Sequence, residues 1–443
     1  MNDHPKFVIV GGGLGGALAA CYLGQAGYEV DVYEVRGDLR TGAVGGGRSI
    51  NLALSHRGIA GLEGVGLADE VLSQAVCMRG RMIHSVSGAL VFQPYGRDDS
   101  QTINSVSRSG LNRTLLTAAG KHENVRLHFH QKCTDVDLDT NEVFLTHTET
   151  AATSTVTGDI IVSADGAFSA VRRAMQRRNR FNYRQDYLQH GYKELTIPPA
   201  PDGGFRLEKN ALHIWPRRSL MMIALPNLDA SYTVTLFWPF EGPGSFEAIK
   251  TESDLLAFFD QHFPDAVEHM PTLVEDYFSN PVGSLMTVRC NPWYVEDRAV
   301  ILGDAAHAVV PFYGQGMNAS FEDVLVLDDC MKKYAPNWRR AFESYDAIRR
   351  KHVDALADLA LANFVEMRDH TGSKLFLLRK KKERLLNRLF PRWYLPLYTM
   401  ATFTRIPYAD AVARAKRQDR IVFASALVIL LVIAALIVVG WWR

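Results

Sequence analysis

The chain has 443 residues, of which 49 are Lys or Arg and 48 are Asp or Glu, and this balance of +1 gives no sign of a nucleic-acid partner. Its 47% hydrophobic and 22% charged residues make an ordinary globular composition, which excludes intrinsic disorder and collagen-like folds; the length suits about three units of roughly 150 residues. The five cysteines, at 21, 77, 133, 290 and 330, form no CxxC pair and no zinc-like spacing with His, so reduced and mostly buried thiols are expected.

The first residues carry neither a basic stretch nor a small-residue cleavage site after an apolar run, so a signal peptide is not expected there. Phe7-Val-Ile-Val10 reads as a buried parallel strand. Gly11-Gly-Gly13-Leu14-Gly-Gly16 follows at once, and the alanine-rich stretch after it reads as a helix. Gly11, Gly13 and Gly16 fill a GxGxxG spacing: the first permits a tight turn, the second admits a pyrophosphate to the backbone, and the third lets helix and strand pack closely. A second strand, 29–33, ends in Glu34, whose carboxylate suits ribose hydroxyls. An acid there argues for an unphosphorylated ribose and so for NAD or FAD.

Asp159-Ile-Ile-Val-Ser-Ala-Asp165-Gly166 reads as another buried strand entering an Asp-Gly turn, with a helix start near Arg172. Between Tyr183 and Phe240 the chain changes to short alternating runs, among them Leu212-His-Ile-Trp-Pro and Thr233-Val-Thr-Leu-Phe-Trp-Pro, expected as a separate antiparallel sheet roofing a substrate site. Asp297 to His307 is a third buried strand ending in Gly303-Asp304, followed by Pro311-Phe312-Tyr313-Gly314-Gln-Gly316-Met317-Asn318. The Asp304 carboxylate can accept hydrogen bonds from ribityl hydroxyls, and Gly314 and Gly316 are expected to leave open N–H groups beside a flavin ring. His307 is expected to pack near the cofactor. A second GxGxxG after a later strand is missing, so a separate nicotinamide domain is not expected.

These three motifs in this order resemble the class A flavoprotein monooxygenases, the para-hydroxybenzoate hydroxylase-like family. The resemblance implies a resident FAD, NADPH as a transient donor and oxygen as co-substrate, with a flavin C4a-hydroperoxide as the oxidant. It implies cofactor contacts at Gly11, Gly13, Leu14, Gly16, Glu34, Arg36, Ala53, Arg108, Asp165, Asp304, Gly316, Met317 and Asn318. A closer resemblance, to the kynurenine 3-monooxygenase family, covers nearly the whole chain. It implies L-kynurenine as substrate, 3-hydroxykynurenine as product and a place in tryptophan degradation. Arg81 and Tyr95 match the family pair that holds the substrate carboxylate; Phe312 lies in the flavin-side loop, and Asn363, Glu366, Met367 and Tyr398 match the distal pocket. That family often has Phe where this chain has Tyr313. Read from the residues alone, Arg81 offers a fork of N–H donors and Tyr95 an O–H, while Asn363 and Glu366 share a helix face. No side chain is assigned as general acid or base, because the aniline nitrogen already activates the ring. Two other readings are a membrane-bound flavin monooxygenase of a lipid or quinone ring and a non-catalytic flavin redox sensor.

Ile421 to Gly440 carries no charge and at 1.5 Å per residue is long enough to cross a hydrocarbon core about 30 Å thick. Arg414, Lys416, Arg417 and Arg420 precede it and Trp441 and Trp442 follow. A tail anchor is expected, with the large domain in the cytoplasm, on the inner membrane of a bacterium or the mitochondrial outer membrane of a eukaryote. Leu385 to Tyr408 is apolar but too interrupted by Arg and Pro to span, and could lie on a membrane surface with the basic run 379–382. The expected architecture is α/β. A Rossmann-type FAD-binding domain (1–76, 101–180 and 285–370) carries an inserted antiparallel-sheet substrate domain (77–100 and 181–284). C-terminal helices (371–420) and one transmembrane helix (421–440) complete it.

Overall fold

The computed structural model describes residues 4–42, 51–96, 101–366 and 374–441. Phe7–Val10, buried at all four positions, pairs in parallel with Val30–Tyr33 on one side and Ile160–Ser163 on the other. Val125–His128 extends the sheet beyond Val30–Tyr33, and Ala299–Ile301 and the short antiparallel Tyr294–Val295 extend it beyond Ile160–Ser163. Short runs of Val and Ile form this sheet because both its faces are covered. The helices Leu14–Gln25, Gly316–Tyr334 and Trp338–Val365 join the same core. The glycine turn is as the motif requires. Gly11 has a φ of +98°, and a Cβ added at Gly16 would lie 1.9 Å from the Gly11 carbonyl oxygen, so helix and strand can meet only without a side chain there.

The second layer is a seven-stranded sheet in the order Gly283–Asn291, Asn182–Ile197, Tyr232–Pro239, Leu220–Pro226, Ala211–Arg217, Gly80–His84, Leu90–Pro94. Its neighbours are antiparallel except for Ala211–Arg217 beside Gly80–His84. The first of these strands runs beyond residue 284, where the inserted unit was expected to end. Register pairs Ile214 with Ile223, Ile223 with Thr235 and Met221 with Phe237, so these side chains share one face. The opposite face, with Trp215, Met222, Leu236 and Trp238, packs on helices Glu252–His262 and Leu273–Ser279 as a second core. Two three-stranded sheets were not read from the sequence. One joins Asn51–Leu54, Ile103–Ser107 and Val76–Met78; the other joins Gln131–Asp137, Glu142–His147 and Thr153–Thr157.

The chain ends in helices Lys374–Leu389, Leu397–Phe403 and Tyr408–Trp441. Among the described residues, Tyr408–Val439 is the one helix long and apolar enough to cross a membrane, and its apolar window is wholly exposed. It begins well before Ile421 because its polar first turns dock on the body, where Tyr408, Ala411 and Gln418 are buried.

Candidate active site

A cavity of about 610 Å³, within the ordinary size of ligand sites, is lined by residues of both layers. One end is formed by Gly13, Leu14 and Gly15 at the start of the first helix. This helix has no acid in its first turn and no side-chain cap, so its free N–H groups and positive dipole end remain for an anion. A Cβ added at Gly13 would meet nothing nearer than Arg36 Nη2 at 3.9 Å, which leaves room for a ligand at the backbone. Gly11 and Gly16 do not line the cavity; they set the turn. Glu34 is buried beside that turn, where Oε2 accepts from the Gly12 N–H at 2.7 Å and Oε1 accepts from Arg36 N–H and Nε at 3.0 and 2.7 Å.

Farther along stand Arg108 and Asp304. Arg108 begins the helix Arg108–Ala119, where a cation opposes the helix dipole and the local field favours an anion. Gly303, with φ +57°, turns the chain into Asp304, and a Cβ there would lie 2.6 Å from Ser320 Oγ. Asp304 is open to the cavity it lines, with many protein atoms around its carboxyl. Burial raises the pKa of its carboxyl, His307 and Arg108 draw it back in part, and Asp323 raises it further. The loop Pro311–Met317 follows on the wall. The Gly314 N–H donates to the Pro311 carbonyl at 2.9 Å, so it is not the open donor expected. Gly316 and Met317, in the first turn of Gly316–Tyr334, present N–H groups without intrahelical acceptors.

Several residues read as ligands instead hold this wall from behind. Asn318 Nδ2 donates to the carbonyls of Ala53 at 2.8 Å and Gly314 at 3.1 Å, while its Oδ1 accepts from the Ser55 N–H at 2.8 Å. Ala53 lines the cavity and Asn318 does not. Asp165 accepts from Ser163 Oγ at 2.6 Å and from the Ala170 N–H at 2.7 Å, leaving Gly166, Ala167 and Phe168 on the wall. His307 is off the wall as well; it stacks on Trp293 and pairs with Asp323 in the interior.

At the other end the sheet face supplies Leu212, Ile214, Ile223 and Phe237, and the loop supplies Phe312 and Tyr313. Phe312 packs between Phe237 and Phe364 at ring distances of 4.9 and 4.4 Å. Into this apolar end project Arg81, Tyr95 and Tyr398. The Arg81 guanidinium lies 4.6 Å from the Tyr398 ring centre and 5.6 Å from that of Tyr95. The guanidinium, protonated at any ordinary pH, thus faces two electron-rich rings. Arg81 Nε and the Tyr95 hydroxyl are buried without a hydrogen-bond partner, and no carboxylate pairs with Arg81 among the described residues. Burial pushes the Tyr95 and Tyr313 hydroxyls up, so both stay neutral donors.

Asn363 Nδ2 donates to the Phe312 carbonyl at 2.6 Å, so it braces the loop and does not reach the cavity. Glu366 caps the helix Trp338–Val365 near Tyr313, also off the wall. Met367 lies outside the described residues. Sequence reasoning did not single out Ile223 and Thr235 as wall residues, nor His84, which fixes the strand carrying Arg81. His84 lies on the other face of the Gly80–His84 strand, with Nδ1 2.6 Å from Asp265 and Nε2 2.8 Å from His213 Nδ1. The alternation of the strands held the signal for the wall; the His–Asp contacts had none.

The glycine turn, the anion-seeking helix ends and the Gly303–Asp304 corner fit a flavin dinucleotide. The FAD binding domain family matches residues 5–360. Kynurenine 3-monooxygenase of Myxococcus xanthus is 47% identical over 94% of this chain and 89% of its own length. That of Sus scrofa is 44% identical over 95% and 88%. In fold, the chain is similar to 2-methyl-3-hydroxypyridine-5-carboxylic acid oxygenase, with a TM-score of 0.68 at 20% identity, covering 84% of this chain and 94% of that one. The chain is therefore an FAD-dependent oxidoreductase and belongs to the kynurenine 3-monooxygenase family.

Proposed function

We propose that this protein hydroxylates L-kynurenine at ring position 3, with NADPH as electron donor and oxygen as oxidant. The observation that carries the reading is Arg81, half-buried at an otherwise apolar cavity end, whose Nε is buried without a hydrogen-bond partner beside the unpartnered Tyr95 hydroxyl and which has no carboxylate partner among the described residues. A carboxylate entering there would satisfy both donors by charge-assisted hydrogen bonds. An uncharged lipid or quinone ring would leave them unpaired, at a cost of about 1–3 kcal/mol for each buried group.

The chemistry supplied by bound FAD is electron transfer from NADPH to oxygen, of which one atom goes to the ring and the other to water. Gly13, Leu14 and Arg108 would hold its pyrophosphate, Glu34 its ribose and Asp304 its ribityl hydroxyls. The Gly316 and Met317 N–H groups would stabilise negative charge on the ring system. Ile223, Phe237 and Phe312 would seat the aromatic ring and keep water from it. Tyr398 backs Arg81 and fixes its direction. No side chain acts as general base, since the aniline nitrogen activates the ring carbon beside it. Tyr408–Val439 would anchor the enzyme, with Arg414, Lys416, Arg417 and Arg420 on the cytoplasmic side.

The test is discrimination between L-kynurenine and its decarboxylated amine, kynuramine, in flavin reduction and turnover. Loss of the charge-assisted contacts should weaken kynuramine by about 10- to 100-fold. Equal use of the two compounds would contradict the reading.

A further inference from the structure

Beyond the spanning helix, the segment before it has a surface of its own. The helix Lys374–Leu389 leaves Leu378, Leu385 and Leu389 exposed, and the turn after it exposes Phe390 and Trp393. At 100° per residue, positions 378, 385 and 389 fall within about 40° of one another, so the three leucines form one stripe. Lys381, Lys382, Arg388 and Arg392 are exposed in the same segment. On that helix Lys382 falls about 40° to one side of the stripe and Lys381 about 60° to the other. An apolar stripe flanked by cations is the pattern of a helix that lies in a lipid interface.

The segment is also fixed at one height. The Trp393 carbonyl accepts from Gln418 Nε2 at 2.7 Å and from Arg414 Nη2 at 3.5 Å, and the Tyr394 carbonyl accepts from Asn387 Nδ2 at 2.7 Å. Gln418 stands three positions before Ile421, where the charge-free run begins, which is about 4.5 Å along the helix axis. Trp393 is therefore held within one turn of the start of the apolar run, the level at which Trp is enriched in membrane proteins.

We infer that residues 378–393 form an interfacial helix and turn that bed the catalytic body on an anionic phospholipid leaflet, as a second membrane contact beside the spanning helix. The inference rests on the reading of Tyr408–Val439 as a membrane anchor. The occupant is a lipid surface because the turn at Trp393 is hydrogen-bonded to the helix that carries the apolar span and the charges flanking the stripe are basic.

The test uses full-length, FAD-loaded protein in phosphatidylcholine/phosphatidylglycerol vesicles, spin-labelled at Leu389→Cys, with Glu149→Cys and Ile429→Cys as references. Signal from the native cysteines is measured on the parent chain and subtracted, and flavin absorbance verifies each fold. Collision with oxygen against a water-soluble nickel complex reports depth. The Leu389 label should lie about 5–10 Å into the headgroup and acyl boundary, between the other two. In pure phosphatidylcholine it should move toward water. A Leu389 label as open to nickel as Glu149, or shielded from both reagents as under a second copy of the chain, would overturn the inference while Ile429 remains in lipid. If the Ile429 label is itself open to nickel, the anchor reading fails and this inference with it.

Discussion

Arg81 is the residue on which the proposed substrate class turns. Its guanidinium faces the Tyr398 and Tyr95 rings and has no carboxylate partner among the described residues, which leaves it poised for one. Its planar fork matters as much as its charge, so Arg81→Lys should raise KM for L-kynurenine by about tenfold or more while kcat changes little. Tyr95→Phe, which removes one neutral donor, should raise KM by about fivefold. Steady-state turnover measures both, and an unchanged KM in Arg81→Lys would remove the carboxylate clamp from the account. Which residues were legible in the sequence follows from where their partners lie. Gly11 and Gly16 were readable because their requirement is local: the backbone at Gly11 and the oxygen a Cβ at Gly16 would strike are both within the motif. Asp165, Asn318 and Asn363 were read as ligands, yet each spends its polar atoms on a turn or loop. Nothing in a sequence separates a side chain that faces a ligand from one that braces the wall behind it.

At the scale of elements, the strand that carries Arg81 is pinned from its far face. His213 Nε2 lies 2.9 Å from the Glu208 carbonyl, which can only accept, so His213 Nδ1 is left to accept from His84 Nε2. Asp265 receives His84 Nδ1 and also accepts from Trp215 Nε1 at 3.0 Å. Burial raises the Asp265 carboxyl, but these two hydrogen bonds outweigh it and hold its pKa low. Desolvation by burial pushes the His213 imidazole down to about 4. At His213 the native state therefore binds fewer protons than the unfolded chain between about pH 6.5 and 4, so this group's contribution to stability is lost as pH falls through that window, by about 3 kcal/mol in full. In His213→Gln the fall in urea midpoint from pH 6.5 to 4 should flatten. An equal fall in the variant would show that another group titrates. The sheet itself was readable from alternation, which gave the strands of 211–239 but not which face roofs the cavity. That choice depends on the helices at 252–279, which bury the Trp215 and Trp238 face.

Across the whole molecule, a buried chain of charges joins the flavin-side corner to the C-terminal segment. Asp323 accepts from the Gly303 N–H at 3.0 Å, pairs with His307 and accepts from Arg349 Nε at 2.7 Å; Arg349 and Arg57 share Glu322. Arg57 then donates to the carbonyls of Ala401 and Ile406 and lies 4.1 Å from the Tyr408 ring centre. This ties the segment bearing Tyr398 to the FAD domain. Arg57→Ala should destabilise the protein by about 3–5 kcal/mol and open residues 396–408 to proteolysis, checked by urea unfolding and limited digestion in detergent. Unaltered stability and protection would show that the segment docks by apolar packing alone. None of this was legible in the sequence, because Arg57 and its partners lie hundreds of residues apart and only the finished fold brings them together.

One cavity joins the glycine turn and Asp304 to the apolar end that holds Arg81 and Tyr95, which is proposed to read the carboxylate of L-kynurenine. The decisive experiment follows NADPH oxidation by the FAD-loaded protein in detergent, with and without L-kynurenine, and identifies the product by mass and ring position. Oxidation should depend on kynurenine and be matched by formation of 3-hydroxykynurenine. Reducible bound flavin with neither stimulation nor hydroxylation would leave the fold standing and contradict the assigned substrate.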